Sequence, residues 1–98
     1  RLLRGEAPPH QDASARLAAE LARQARRLSG TEIDQLAHAI VHRLPVRIRY
    51  RSRSGGVSVR VVSQLEVRYG YLVGWCHLRE ETRMFALESV LGVIAEPG

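Results

Sequence analysis

Lysine is absent from this chain of 98 residues, and cysteine occurs only once. A single cysteine excludes an intramolecular disulfide and is typical of a protein from a reducing compartment. The chain also lacks a run of about 18 apolar residues, which excludes a membrane-spanning helix, and it shows no signal-peptide pattern. We therefore expect a soluble, cytoplasmic protein without a membrane partner.

The excess positive charge lies in one segment. All 15 basic residues are arginine, there are 10 acidic residues, and the net charge is +5. No acid occurs between Gln35 and Leu65, whereas six arginines do: Arg43, Arg47, Arg49, Arg51, Arg53 and Arg60. The rest of the chain has nine arginines and ten acids, a net charge of −1. A local positive field of this kind favours a polyanion such as nucleic acid as the partner.

Two helices are predicted in the first part of the chain. Residues 1–12 contain a glycine and two prolines and are typical of a linker. Apolar residues at helical spacing predict a first helix over Ser14–Leu28 and a second over Thr31–Leu44. Thr31 is the expected N-cap of the second helix, with Asp34 at the capping-box position.

The second half of the chain reads as β-structure. All aromatic residues lie from Tyr50 onward, and turn residues separate short apolar runs. These runs predict the strands Val46–Arg51, Val57–Val62, Leu65–Tyr69, Tyr71–Cys76, Thr82–Leu87 and a short one near Val90–Ile94. The fold class is therefore α+β, with a small antiparallel sheet preceded by two helices.

The first two predicted strands carry arginines between apolar residues. If both apolar sets lie on one face of the hairpin, Arg47 is opposite Arg60 and Arg49 is opposite Ser58. Opposed like charges cost a few tenths of a kcal/mol, and a bound anion would remove that cost. We therefore take Arg47, Arg49 and Arg60 as candidate nucleic-acid-binding residues. The alternative is a solvated outer face whose arginines point into water.

The strand Tyr71–Cys76 has no charged residue on either face. A strand of this kind is normally covered on both sides, so we expect Trp75 to be in the core and the second helix to supply part of the cover. We expect Ile40, Val41 and Leu44 to be the covering residues. The alternative for Tyr71 and Trp75 is a surface on which nucleobases stack.

This hairpin resembles the WYL domain. The matching features are Gly70-Tyr71-Leu72 in place of the Trp-Tyr-Leu triplet, the pair Trp75-Cys76, and the Arg-x-Phe motif at Arg83 and Phe85. The order of helix, hairpin and strands from about Thr31 onward is also similar. The chain departs from the family at Ser63-Gln64, where a proline is usual, and at Ser89, where an arginine of the ligand-binding set is usual.

The resemblance implies a ligand-sensing regulatory domain with an Sm-like or SH3-like antiparallel β-barrel. It implies a domain from residue 31 to 98 with a leading helix, and leaves 1–30 as a linker and an N-terminal helix. The ligand-binding residues it implies are Tyr71, His77, Arg79, Arg83 and Phe85. Because the chain begins at Arg1 rather than a methionine, we expect it to be part of a longer polypeptide.

The sequence offers little support for catalysis or for a metal or other cofactor. His38 and His42 have the spacing of metal ligands on a helix, but Ala39 stands where a zinc protease needs glutamate, and no third ligand is evident. Cys76 is adjacent to His77, but neighbouring residues of a strand point to opposite faces. No pair of acids lies in an apolar setting. The sequence therefore predicts a protein that is not an enzyme.

Three classes of function remain open. The first is a ligand-sensing domain of a bacterial transcriptional regulator, which binds a nucleotide or single-stranded nucleic acid through arginines. The second is an accessory domain of a helicase or nuclease that grips nucleic acid. The third is a structural oligomerisation module, in which the helix Ser14–Leu28 packs on a partner, for example in a homodimer.

Overall fold

The computed structural model describes residues 9–95, with side chains from residue 13 onward. Two helices precede five strands and a short 3-10 turn. The elements are α1 (Pro9–Gln24), α2 (Gly30–His42), β1 (Val46–Arg51), β2 (Val57–Arg68), β3 (Tyr71–Cys76), β4 (Glu81–Ala86), the 3-10 turn (Leu87–Ser89) and β5 (Val90–Ala95). Of the predicted linker 1–12, residues 1–8 lie outside the described part of the chain, and residues 9–12 belong to α1.

The five strands form one antiparallel sheet in the order β4-β3-β2-β1-β5. The predicted α+β class with two leading helices is therefore confirmed. The sheet is bent but not closed, because β4 and β5 are its two edges. The resemblance implied a closed barrel, but the sheet is open. The 3-10 turn connects the two edge strands, β4 and β5, along the chain.

The register of the first hairpin differs from the prediction by one residue. Arg47 pairs with Val61 and Ile48 pairs with Arg60, so Arg47 and Arg60 lie on opposite faces of the sheet. The loop sets this register, because the N–H of Ser52 donates to the carbonyl of Gly56 at 2.8 Å and Arg51 is left opposite Val57. The prediction that Arg47, Arg49 and Arg60 share one surface is therefore wrong.

The register shift divides the sheet into two unlike faces. The concave face points to the helices and the core, and on β1 it carries Val46, Ile48 and Tyr50. The convex face points away and carries Arg47, Arg49, Val57, Val59, Val61 and Ile94. Val57 and Val59 are about half exposed, at 49% and 51%.

Strand β2 is a single bent strand where two were predicted. The pairing with β3 is irregular between Ser63 and Glu66, and Gln64 has a left-handed φ of 54°. This bulge shifts the alternation, so that Val62 before it and Leu65 after it are both buried. A bulge of this kind bends a sheet sharply, and here it brings β3 and β4 round toward β1.

The N-cap of helix α2 lies two residues earlier than predicted. Ser29 is the N-cap and Glu32 completes the capping box, in place of Thr31 and Asp34. Glu32 also accepts a hydrogen bond from the N–H of Val93 in β5 at 3.1 Å. The backbone N–H of Ser29, followed by that of Val93, holds the pKa of Glu32 below its ordinary value of 4.5 despite the opposing effect of burial. One carboxylate thus joins the helix start to the sheet.

The helices cover the concave face mainly through residues other than those predicted. Helix α2 buries Ile33, Leu36, Ala37 and Ala39 and packs against β5 and β2. Ile40 and Val41 are only partly buried, and Leu44 is 43% exposed. Helix α1 packs on α2 and on the 3-10 turn, and Leu21 of α1 and Ala25, which follows the helix, are fully buried.

Strand β3 is covered on one side only. Leu72, Gly74 and Cys76 are buried on the concave side, whereas Tyr71 and Trp75 are 39% and 38% exposed on the other. The expectation that Trp75 belongs to the core is therefore wrong. Gly74 allows β2 and β3 to approach closely, because a Cβ at this position would lie 2.5 Å from Val62 Cγ1.

Candidate ligand-binding cleft

The open side of the sheet contains a cleft. It lies where the end of β1 and the β1–β2 loop approach β4 and the 3-10 turn, and its volume is about 780 Å³. The lining residues are Tyr50, Arg51, Ser52, Arg53, Tyr71, Arg83, Met84, Phe85, Ala86, Glu88 and Ser89. Residues far apart in sequence therefore meet at one concavity because the sheet bends without closing.

Three arginines and one acid face this cleft. Arg51 and Arg53 come from the first hairpin, Arg83 comes from β4, and Glu88 comes from the 3-10 turn, which gives a net charge of +2. Arg51 donates to the carbonyl of Gly55 at 3.4 Å, and Arg83 to the carboxylate of Glu81 at 3.5 Å. Guanidinium groups with only weak protein partners are suited to bind phosphate or carboxylate oxygens.

Aromatic side chains form the apolar part of the cleft. Tyr50 and Phe85 meet edge to face, with ring centroids 4.8 Å apart, and Phe85 is only 3% exposed. Tyr71 lies at the rim and is accessible. The N–H of Leu87 donates to the carbonyl of Gly70 at 3.0 Å, which fixes the 3-10 turn beside Tyr71. The cleft thus combines a buried aromatic floor with cationic side chains.

The structure brings some of the predicted ligand-binding residues together. Tyr71, Arg83 and Phe85 all line the cleft. His77 instead shares a hydrogen bond of 2.9 Å with the hydroxyl of Ser63, and Arg79 is exposed in the β3–β4 turn.

The three arginines predicted from the first hairpin do not line the cleft. Arg47 and Arg49 lie on the convex face, and Arg60 donates to the carbonyl of its own neighbour Val59 at 2.9 Å. Arg51 and Arg53 belong to the basic segment, but the alternation pattern favours Arg47, Arg49 and Arg60 as the binding residues. The signal for Arg51 and Arg53 is their position at the β1–β2 loop, where the hairpin reaches the open side of the sheet.

The structure gives no support to the histidine pair as a metal site or to Cys76 as a nucleophile. The rings of His38 and His42 lie 4.2 Å apart on α2, but no group of three or more metal-ligating side chains occurs among the described residues. Cys76 is a buried free thiol, 1% exposed. Within residues 9–95, no helix is long and apolar enough to cross a membrane.

A small α+β domain with a cationic, aromatic cleft at the gap of an open, bent sheet is the class that this structure defines. The model of the WYL domain family matches residues 31–94, about two thirds of the chain, and the chain belongs to that family. The family consists of regulatory or ligand-sensing domains. No curated protein and no solved structure matches the chain.

Proposed function

We propose that this domain senses a nucleotide or single-stranded nucleic acid that binds in the cleft and thereby regulates a longer bacterial protein of the transcriptional-regulator type. The observation that carries the proposal is the convergence of Arg51, Arg53 and Arg83 with Tyr50, Tyr71 and Phe85 at one concavity that contains a single acid. Phosphate oxygens would pair with the guanidinium groups, and a base would stack at the accessible ring of Tyr71.

The proposed role is binding and not catalysis. No histidine or cysteine is among the residues that line the cleft, and its one carboxylate, Glu88, lies among arginines. A nucleophile needs an adjacent general base. The described lining contains no such pair, whereas it offers several donors for an anion.

Equilibrium binding of fluorescent thymidine nucleotides and oligothymidylates tests this proposal. Replacing Arg53 and Arg83 with alanine should weaken binding about ten- to a hundredfold and lower the log–log salt slope by about 1.4, at roughly 0.7 per lost phosphate contact. The matched control is Arg47→Ala with Arg49→Ala, which removes the same charge from the convex face and should change the affinity less than about threefold.

Two results would overturn the proposal. If the convex-face control weakens binding as much as the cleft variant, the attraction is diffuse charge, and the nucleic-acid-gripping accessory role fits better. If no nucleotide or oligonucleotide binds at about 0.1 M salt, where exposed charges are already screened over about 10 Å, the cleft is not a polyanion site.

A further inference from the structure

A second cationic cleft lies on the other side of the 3-10 turn. Its volume is about 450 Å³, and it is lined by Arg26, Arg27, Arg51, Glu88 and Ser89. The last three of these residues also line the first cleft, so the two clefts adjoin each other at Arg51, Glu88 and Ser89. Arg26 and Arg27 precede the segment 31–94 that matches the family. The second cleft is therefore built partly from residues outside the matched domain.

The backbone at Arg26 and Arg27 is held in place by the residues on either side. They are the central residues of a turn in which the N–H of Leu28 donates to the carbonyl of Ala25 at 3.1 Å. Ala25 is fully buried and Leu28 is 8% exposed, whereas Arg26 and Arg27 are exposed. Both ends of the turn are thus anchored in the core, and the arginines between them face the cleft at low cost in backbone entropy.

Among the described residues that line this cleft, positive charge exceeds negative charge. Three arginines and one glutamate give a net charge of +2, and within residues 9–95 neither Arg26 nor Arg27 takes part in an ion pair. Like charges gathered at one concavity repel each other, and a bound anion converts that repulsion into attraction. The cleft therefore has the chemistry of a phosphate subsite.

We propose that a single-stranded oligonucleotide passes from the first cleft around Ser89 into the second, where Arg26 and Arg27 bind a further phosphate. This inference rests on the proposed function and narrows its ligand. A mononucleotide reaches the first cleft only, so a strand of several nucleotides is the better ligand. Binding then engages the α1–α2 turn, which connects the domain to the chain before it.

Length-dependent binding tests the inference. Oligothymidylates from a mononucleotide to about eight nucleotides cover the length that a small single-strand site occupies. With Arg26→Ala and Arg27→Ala, the affinity for the longest strand should fall about tenfold and its salt slope by about 1.4, while the mononucleotide affinity changes less than about twofold. The control is again the Arg47→Ala and Arg49→Ala pair, which should leave the length dependence intact.

A rescue variant separates a local subsite from general attraction. Because Ser89 borders both clefts, adding Ser89→Arg to the Arg26/Arg27 double variant should restore most of the lost affinity for the long strand. Equal weakening for the mononucleotide and the long strand would overturn the second subsite. Unchanged binding of the long strand would overturn it too, and in that case loss of binding on changing Arg53 and Arg83 would still support the first cleft.

Discussion

Arginines lie both on the convex face of this sheet and on its open side, but their surroundings differ. On the convex face Arg47 and Arg49 lie beside Val59 at a depression of about 280 Å³, which Glu32 also lines. On the open side of the sheet, Arg53 and Arg83 line a larger cleft of about 780 Å³ beside aromatic rings. The density of arginine along the chain is therefore a poor guide to the site. The curvature of the sheet decides which arginines converge.

The largest expected difference between the faces is in stability. Ile48 is fully buried on the concave face, whereas Val59 is 51% exposed on the convex face of the neighbouring strand. Ile48→Ala should lower the free energy of unfolding by about 2–5 kcal/mol, because it leaves a cavity, and Val59→Ala by less than about 1 kcal/mol. Urea denaturation measures both, and equal losses would contradict the assignment of the faces.

Two glycines offer a second comparison of the same kind. A Cβ on Gly74 would lie 2.8 Å from the carbonyl oxygen of Ser63, whereas the nearest atom to one on Gly92 would be a carboxylate oxygen of Glu32 at 3.3 Å. Gly74→Ala should therefore cost about 1–3 kcal/mol through overpacking. Gly92→Ala should stay within about 1 kcal/mol of the parent, because the contact at 3.3 Å is relieved by a shift of only a few tenths of an ångström. Thermal unfolding of the pair checks this order.

The carboxylate of Glu32 should make stability depend on pH. Its pKa in the folded protein is lowered, so its ionised form contributes stability above pH 4.5, and this contribution is lost as the pH falls through the folded pKa. Glu32→Gln should lower the free energy of unfolding by about 1 kcal/mol at neutral pH, with the difference shrinking in acid. Asp34→Asn, an exposed change in the same helical turn, is the control. A difference that is constant with pH would contradict this role.

The smallest expected effect concerns Arg47 and Arg60, which the sequence pattern places opposite each other. Because Arg47 pairs with Val61 and Arg60 with Ile48, the two guanidinium groups lie on opposite faces. A double-mutant cycle of Arg47→Ala and Arg60→Ala should therefore give a coupling energy below about 0.3 kcal/mol. A larger coupling, with the double variant less stable than the sum of the two single effects predicts, would support the register predicted from sequence, because opposed charges lose their repulsion as soon as either one is removed.

The elements of the fold follow well from sequence pattern. The helix over 31–44 and the strands Val46–Arg51 and Tyr71–Cys76 were predicted at or near their observed bounds, because periodicity and turn residues mark them. Of the cleft residues, the resemblance supplied Tyr71, Arg83 and Phe85. These are the parts of the molecule that depend on residues close together in sequence.

The register and the cleft depend on contacts that sequence pattern does not encode. Alternation in β2 favoured burial of the valines at 57, 59 and 61, but the loop hydrogen bond at Ser52 sets the opposite parity. The bulge near Gln64 then reverses the alternation again. Since a slip of one residue moves every side chain to the other face, the arginines that line the cleft could not be identified from the pattern.

The hydrogen bond from the N–H of Val93 to Glu32 also concerns self-association. Strand β5 is an edge of the sheet, and an edge with free N–H groups is a template on which a strand of another molecule can pair. Here one of those donors is occupied by a carboxylate, and α2 packs along the same strand. A carbonyl of an incoming strand would meet a negative charge in place of a donor. Glu32, which completes the cap of α2, thus also disfavours pairing of this edge with a strand of another molecule.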